Sequence, residues 1–418
     1  MTLLNPIKKT NHIFTVLDVG NSKISCLIGK KFNNNDVQVQ VLGFGQQASF
    51  GISNGLVTNM QELANSIARA VEAAETMAGF AIETVVCSLS GGNPLTKITR
   101  KTILIENNFV EKQHLEKILK INHKILNENY SLLSSSAIKY MIDSNNIVEN
   151  PIGMHTKTLT VDISNILGNK AVIQNITSSI KLCHLIVDKF IITPEASGIA
   201  TMIKNERDDG AIIIDLGENI TSIGVFIRNK IIFSDSIPIG GVHITSDIVR
   251  GLGTKAADAE KIKILHGSAQ ANELDEFTNL QIQIISEDGE MINQQIPRAL
   301  LTAIIKPRIE EIFEIIHNRL NHFNLNPSYI NKIVLTGGGA NLNKIKELAE
   351  NYFKCNVRIG RPIGLIGLPE IAQNPSFSCL AGLLIKSLEI EKTPEYEKNN
   401  FGLHRYFGKI GNWFNENL

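Results

Sequence analysis

The sequence predicts an α/β protein built from two related domains. An apolar run at 14–19, Phe-Thr-Val-Leu-Asp-Val, passes through Gly20, Asn21, Ser22 and Lys23 into a second apolar run ending at Gly29. The same pattern returns at 211–227, where Ile-Ile-Ile-Asp215-Leu-Gly217 leads through a polar turn into Ser-Ile-Gly-Val-Phe-Ile. A third apolar run, 332–336, ends in Gly337, Gly338 and Gly339 ahead of a helical pattern. Two β-rich runs around a Gly/Asn/Ser turn read as a hairpin. A long-period repeat of one supersecondary unit reads as two related domains facing each other.

These turns carry chemistry. Successive backbone N–H groups at such a bend form an anion-binding concavity. A carboxylate beside it, Asp18 or Asp215, suits a divalent cation held partly through water, as accompanies a phosphate tail. Two such hairpins can grip one polyphosphate from both sides. The glycine triplet exposes N–H groups near a helix N-terminus, where a nucleotide can lie close. The dinucleotide fingerprint Gly-x-Gly-x-x-Gly is not met.

Bulk properties bound the rest. At 418 residues the chain exceeds the roughly 250–300 that one core supports. Hydrophobic content of 43%, charged content of 20% and zero net charge describe an ordinary globular protein and argue against wholesale nucleic-acid binding. The five cysteines lack Cys-x-x-Cys spacing, so reduced thiols are expected rather than a zinc site. No signal peptide and no run of about 20 apolar residues is visible, so any membrane contact is expected to be peripheral.

In chain order, residues 1–12 read as a polar arm, followed by the first hairpin. A third strand at 37–44 follows a turn at Asn33, Asn34 and Asn35, and 51–55 is a loop. Leu63, Ile67, Ala70, Val71 and Ala74 recur at helical spacing and predict a helix over 60–78. A short buried strand, 84–89, closes at Ser90, Gly91 and Gly92. From about 91 to 163 a polar piece rich in Lys and Asn reads as a small α+β insertion. It has a strand at 98–105, a helix opening near Val110 and running through Leu126, and further strands to 163. Its His114, His123 and His155 lack metal-ligand spacing.

A helix over 168–184 and a strand over 185–191 return to the first core. The small residues of 193–198 open another helix and allow close packing, as a hinge or as a core contact. The second hairpin is followed by a strand and loop ending at Gly240 and Gly241, helices at 243–250 and 256–266, and a partly stranded excursion at 268–298. The amphipathic run 302–323 is a long helix that Pro307 is expected to kink or begin. After the glycine triplet come a helix at 342–352 and a last one at 375–388, with Ala381 and Gly382 small enough for close contact.

Residues 389–400 form a charged linker poor in apolar residues. Beyond it, Leu403, Tyr406, Phe407, Ile410, Trp413, Phe414 and Leu418 share one face at ~100° per residue, with Arg405, Lys409 and Glu416 opposite. A terminal helix docked on its own core is usually reached by a short connection. The long linker favours a helix that lies in a membrane interface. Burying one such side chain is worth ~1.5–3 kcal/mol in full and less at an interface, so one tail binds weakly and many bind well. A self-associating protein follows from that magnitude.

With these pieces in order, the chain resembles the actin-like ATPase superfamily, and within it the FtsA family of bacterial cell-division proteins. The likeness runs over nearly the whole chain. It rests on 17–24 (Leu-Asp-Val-Gly-Asn-Ser-Lys-Ile), 150–154 (Asn-Pro-Ile-Gly-Met), 245–248 (Thr-Ser-Asp-Ile), 258–263 (Asp-Ala-Glu-Lys-Ile-Lys) and 333–339 (Ile-Val-Leu-Thr-Gly-Gly-Gly). The resemblance implies a two-lobed, duplicated ribonuclease H-like fold. Lobe I would take 1–90 and 164–200, the inserted domain 91–163, lobe II 201–388, the linker 389–400 and the amphipathic helix 401–418.

ATP with Mg would sit in the cleft. Asp18, Gly20, Asn21, Ser22 and Lys23 would form the first phosphate loop, and Asp215 and Gly217 the second. Asp18 and Asp215 would attend the metal. Gly240, Gly241, Glu260 and Lys263 would line the purine and ribose side, with Gly337, Gly338 and Gly339 beneath the adenosine. The implied partners are FtsZ, further copies of the chain, other division proteins and anionic lipid at the cytoplasmic face of the inner membrane, at the division site. Arg308, within Lys306-Pro307-Arg308, is a candidate FtsZ contact.

The second phosphate loop of the family reads Asp-x-Gly-Gly-Gly-Thr-Thr, whereas this chain has Glu218 and Asn219 after Gly217. Fewer glycines restrict the backbone. A like charge at ~4 Å costs ~1 kcal/mol in water and ~4 kcal/mol at an effective dielectric of ~20. Weakened nucleotide binding and, at most, weak ATPase activity are expected. The competing readings are an actin-like adaptor of type IV pilus assembly and a small-molecule kinase of the same superfold, for which the tail has no use.

Overall fold

The structure, a computed structural model, describes residues 13–32, 39–123, 129–143, 146–285, 291–323, 325, 330 and 332–392. The expected polar arm, the Asn33–Asn35 turn, Leu126 and everything from 393 onward, including the amphipathic segment, lie outside the described residues.

The first part of the chain runs β1 (Ile13–Val19), β2 (Lys23–Lys31), β3 (Val39–Ala48), the short pair β4 (Ile52–Ser53) and β5 (Leu56–Val57), α1 (Met60–Ala78) and β6 (Thr84–Leu89). Next come β7 (Leu95–Leu104), α2 (Lys112–His123), β8 (Tyr130–Ile142), β9 (Asn146–Val148) and β10 (Thr158–Asn169). Then follow α3 (Lys170–Lys181), β11 (Ile186–Ile192), α4 (Thr193–Thr201) and α5 (Lys204–Asp209). The later part holds β12 (Ala211–Leu216), β13 (Thr221–Ile227), β14 (Lys230–Ile237), α6 (Gly241–Leu252), α7 (Ala256–His266), β15 (Asn279–Ile285), β16 (Met291–Pro297) and α8 (Arg298–His322). It ends with β17 (Lys332–Thr336), α9 (Ile345–Phe353), β18 (Asn356–Ile359), β19 (Leu365–Ile366) and α10 (Ser378–Lys392).

Two sheets repeat one topology. The first is ordered β11-β6-β1-β2-β3-β19 and the second β14-β13-β12-β17-β18. In each, the acidic strand pairs antiparallel with its hairpin partner on one side and parallel with a later strand on the other, β1 with β2 and β6, β12 with β13 and β17. Helices cover both faces, so the central strands are apolar without alternation: every residue of β12, Ala-Ile-Ile-Ile-Asp-Leu, is buried. The one carboxylate in that strand, Asp215, is there for another reason. This is the two-lobed actin-like fold.

The insertion forms a separate antiparallel sheet, β7-β10-β8-β9, over a small core of Ile105, Val110, Ile118, Leu159, Val161 and Ile163. Thr96 and Ser164 donate from it to Ser234 O (2.8 Å) and Ile232 O (2.6 Å) of β14, tying it to the second lobe. The expected division after residue 163 falls inside β10, which pairs without a break from Thr158 to Leu167 with β7. Gly168 pairs with Ser131 of β8 and so lies in the strand as well. The helix after it starts at Lys170, where the Asn169 side chain caps the N–H groups of Ala171 and Val172.

Other boundaries shift for local reasons. α8 begins at Arg298, so Pro307 lies inside the helix and does not open it. The expected helix at 342 begins at Ile345, because Lys344 takes a left-handed conformation (φ 57°). α10 continues to Lys392, four residues into the expected linker. Among the described residues no helix is long and apolar enough to cross a membrane.

Candidate nucleotide site

The two hairpin turns are built alike. Val19 pairs with Ile24 and Leu216 with Thr221, leaving loops at 20–23 and 217–220. Gly20 N–H donates to Lys23 O (3.2 Å) and Gly217 N–H to Ile220 O (3.0 Å). Each turn follows directly on an acid near the end of a parallel-paired strand, where ligands of open α/β sheets bind.

Asp18 and Asp215 share one space. Burial raises the Asp18 carboxyl, against hydrogen bonds from Ser88 and Cys379 and the charge of Lys23. Asp215, 8% exposed, is pushed up to about 6, by burial first and then by the negative charge of Asp18. Ser197 Oγ donates to Asp215 Oδ2 at 2.5 Å. Burial lowers the Lys23 ammonium to about 8, while Asp18 and Asp215 both act to raise it. The same two carboxylates, after burial, push up the Cys379 thiol.

The glycine triplet lies beneath this pair. Gly337 has φ 82°, and a Cβ there would stand 2.4 Å from Asp215 Oδ1, so conformation and space both exclude a side chain. Gly337 N–H donates to Pro375 O (3.2 Å), and Thr336 Oγ1 lies 2.6 Å from Ser378 Oγ. The start of α10 is thereby seated on the triplet. Lys23 Nζ reaches it, donating to Ser376 Oγ (3.0 Å) and standing 3.1 Å from the centroid of the Phe377 ring.

Gly240 and Gly241 support the second turn. Gly241 N–H donates to Gly217 O (3.0 Å) and Val242 N–H to Glu218 O (2.8 Å). Lys263 Nζ donates to Gly241 O (3.0 Å), Thr245 Oγ1 (2.9 Å) and Glu260 (2.7 Å), and Thr245 donates to Glu260 as well. Glu218 belongs to this side of the site. Burial raises its carboxyl, as does Glu260, and Lys263 opposes them. Asn219 Nδ2 donates to Asn54 Oδ1 (3.3 Å), and Asn21 Oδ1 accepts from Gly55 N–H (3.1 Å). The β4–β5 turn thus touches both loops.

One expected residue stands apart. Arg308 donates to both oxygens of Asp247 (2.6 and 3.0 Å) and pairs with Glu311, joining α8 to α6, while Lys306 lies 3.6 Å from Glu310. Leu403, Tyr406, Phe407, Ile410, Trp413 and Phe414 lie outside the described residues. Reading the sequence missed Ser88, Asn54, Ser376, Phe377 and Cys379, which reach the site from distant segments. Ser197 fell within a stretch read as a hinge or a core contact, not as part of the site.

Among the described residues no group of three or more His, Cys, Asp or Glu is placed to ligate one metal ion. The oxygen pair Asp18 and Asp215 fits a hard cation that keeps most of its water and takes phosphate oxygens.

The family profile described as "Cell division protein FtsA" matches residues 212–382, and that of the "SHS2 domain inserted in FTSA" matches 91–167. A "Cell division protein FtsA" of Rhizobium meliloti (strain 1021) is 33% identical over 99% of this chain and 97% of its own length. One from Neisseria meningitidis serogroup B is 31% identical over 92% of each. Among solved structures, a PilM-PilN type IV pilus biogenesis complex superposes with a TM-score of 0.62 at 14% identity, covering 91% of this chain and 99% of the other. MreB5 of Spiroplasma citri bound to ADP gives 0.53 at 14% identity, covering 91% and 98%.

Proposed function

This chain belongs to the FtsA family of cell-division proteins, and we propose that it binds ATP between its lobes, self-assembles and tethers the FtsZ ring to the cytoplasmic membrane. The observation that carries the nucleotide half is the convergence of Asp18, Asp215 and Lys23 from two copies of one hairpin. In that arrangement, glycine-started turns offer N–H groups to phosphates from both lobes, and Lys23 adds a positive charge. Mg held by Asp18 and Asp215 through water would neutralise the phosphate tail. Gly337, Gly338 and Gly339 would back the adenosine, with Glu260 and Lys263 at the ribose. Glu218 and Asn219 stand where the family's second phosphate loop has glycines, which supports a structural or switching role for ATP with weak hydrolysis at most.

The lipid half rests on the amphipathic pattern of 401–418, with later division proteins recruited to the membrane-bound assembly. Arg308 would reach FtsZ only by leaving Asp247 or by presenting the ion pair as a unit. The pilus-assembly alternative rests on the fold alone, at 14% identity.

The test is co-sedimentation with anionic vesicles and FtsZ, comparing the full chain with one ending at Asn400. The full chain is expected to bring FtsZ down with the vesicles and the shorter chain to leave both in solution. Equal pelleting overturns the tethering role. Mg·ATP titration checks the nucleotide half separately.

A further inference from the structure

The ammonium of Lys23 has an unusual seat. Asp18 and Asp215 both attract it, yet its hydrogen bond goes to Ser376 (3.0 Å), and the Phe377 ring lies 3.1 Å away. That seat is rigid. Phe377 is 4% exposed and meets Phe44 of β3 edge to face, 5.8 Å between centroids. Ser376 N–H donates to Asn374 Oδ1 (3.0 Å), and Pro375 O accepts from Gly337 N–H (3.2 Å).

We propose that Phe377 and Ser376 are positioning residues for Lys23, holding its ammonium off the Asp18–Asp215 pair so that the pair is left to the cation and the ammonium to phosphate. The inference deepens the nucleotide reading above and rests on it. An aromatic face attracts an ammonium without neutralising it. A lysine with three donors on a flexible stem, released from that face, would fall onto the nearby carboxylates and compete with a divalent ion.

The experiment is calorimetric titration of Mg·ATP into the full chain across a range of free Mg, using wild type, Phe377→Leu, Phe377→Tyr and Ser376→Ala, with melting curves as a check on folding. Phe377→Leu is expected to weaken binding about fivefold and to raise the Mg needed for half-maximal binding. Phe377→Tyr, which keeps the ring face, restores both. Ser376→Ala, which removes one hydroxyl, shifts both in the same direction to a smaller extent. Unchanged Mg dependence in Phe377→Leu and Ser376→Ala overturns the proposal, as does equal loss in the Leu and Tyr variants, which would indicate packing alone. Wild type that fails to bind Mg·ATP removes the nucleotide reading and this inference with it. Tight wild-type binding with indifferent variants removes only the inference.

Discussion

Glu206 is 8% exposed and accepts from Arg358 Nε (3.0 Å), Arg358 Nη2 (2.6 Å) and the Ile203 N–H (3.1 Å). Burial alone would raise its carboxyl, but the hydrogen bonds and charge of Arg358 outweigh burial and hold it below its ordinary 4.5. A lowered carboxylate contributes stability above its unfolded pKa and loses it as pH falls through the folded one. Glu206→Gln is therefore expected to cost about 1–3 kcal/mol in urea unfolding at neutral pH, with the difference from wild type closing below the carboxylate range. Glu218 has the opposite character: it is raised, and Glu260 is among its neighbours. Its removal in Glu218→Gly is expected to tighten ATP binding about fivefold, near 1 kcal/mol, by titration calorimetry. Equal affinities would mean that the charge is already neutralised by Lys263.

At the level of elements, α4 and α10 cross where Gly382 meets Ala196. A Cβ on Gly382 would stand 1.7 Å from Ala196 O, a backbone atom that cannot turn aside. Gly382→Val is expected to cost about 3 kcal/mol or more, read as a lower melting temperature. The hairpins, α1, β6 and α7 were legible because each carries its own period or turn residues: the expected bounds of α1 at 60–78 coincide with the helix. The end of β10 was not legible, since Gly168 and Asn169 carry no strand pattern of their own and only pairing with Ser131 and Tyr130 of β8 makes them strand. The start of α9 was missed because nothing in the residue type of Lys344 announces φ 57°.

Across the whole molecule, the acids and the first lysine of the site could be read because they sit in the duplicated turns. Ser376 lies 353 residues from Lys23 and carries no motif that would link the two. Only folding brings them together. The same holds for Asn54, which meets Asn219 from the opposite lobe. That exposed contact is worth about 0.5–1.5 kcal/mol, so Asn54→Ala is expected to speed nucleotide release about two- to tenfold by stopped flow, with little change in melting temperature. A lasting loss of fold would show instead that the β4–β5 turn holds the lobes together.

α10 starts at the seat of Lys23 and ends, at Lys392, where the chain departs toward its last residues. Fifteen helical residues span about 22 Å without a joint. A stiff rod of that kind cannot shift at one end alone. The far end of the helix is therefore mechanically continuous with the place where a ligand's charge would be felt, and a reporter dye on residue 392 is expected to respond when Mg·ATP is added.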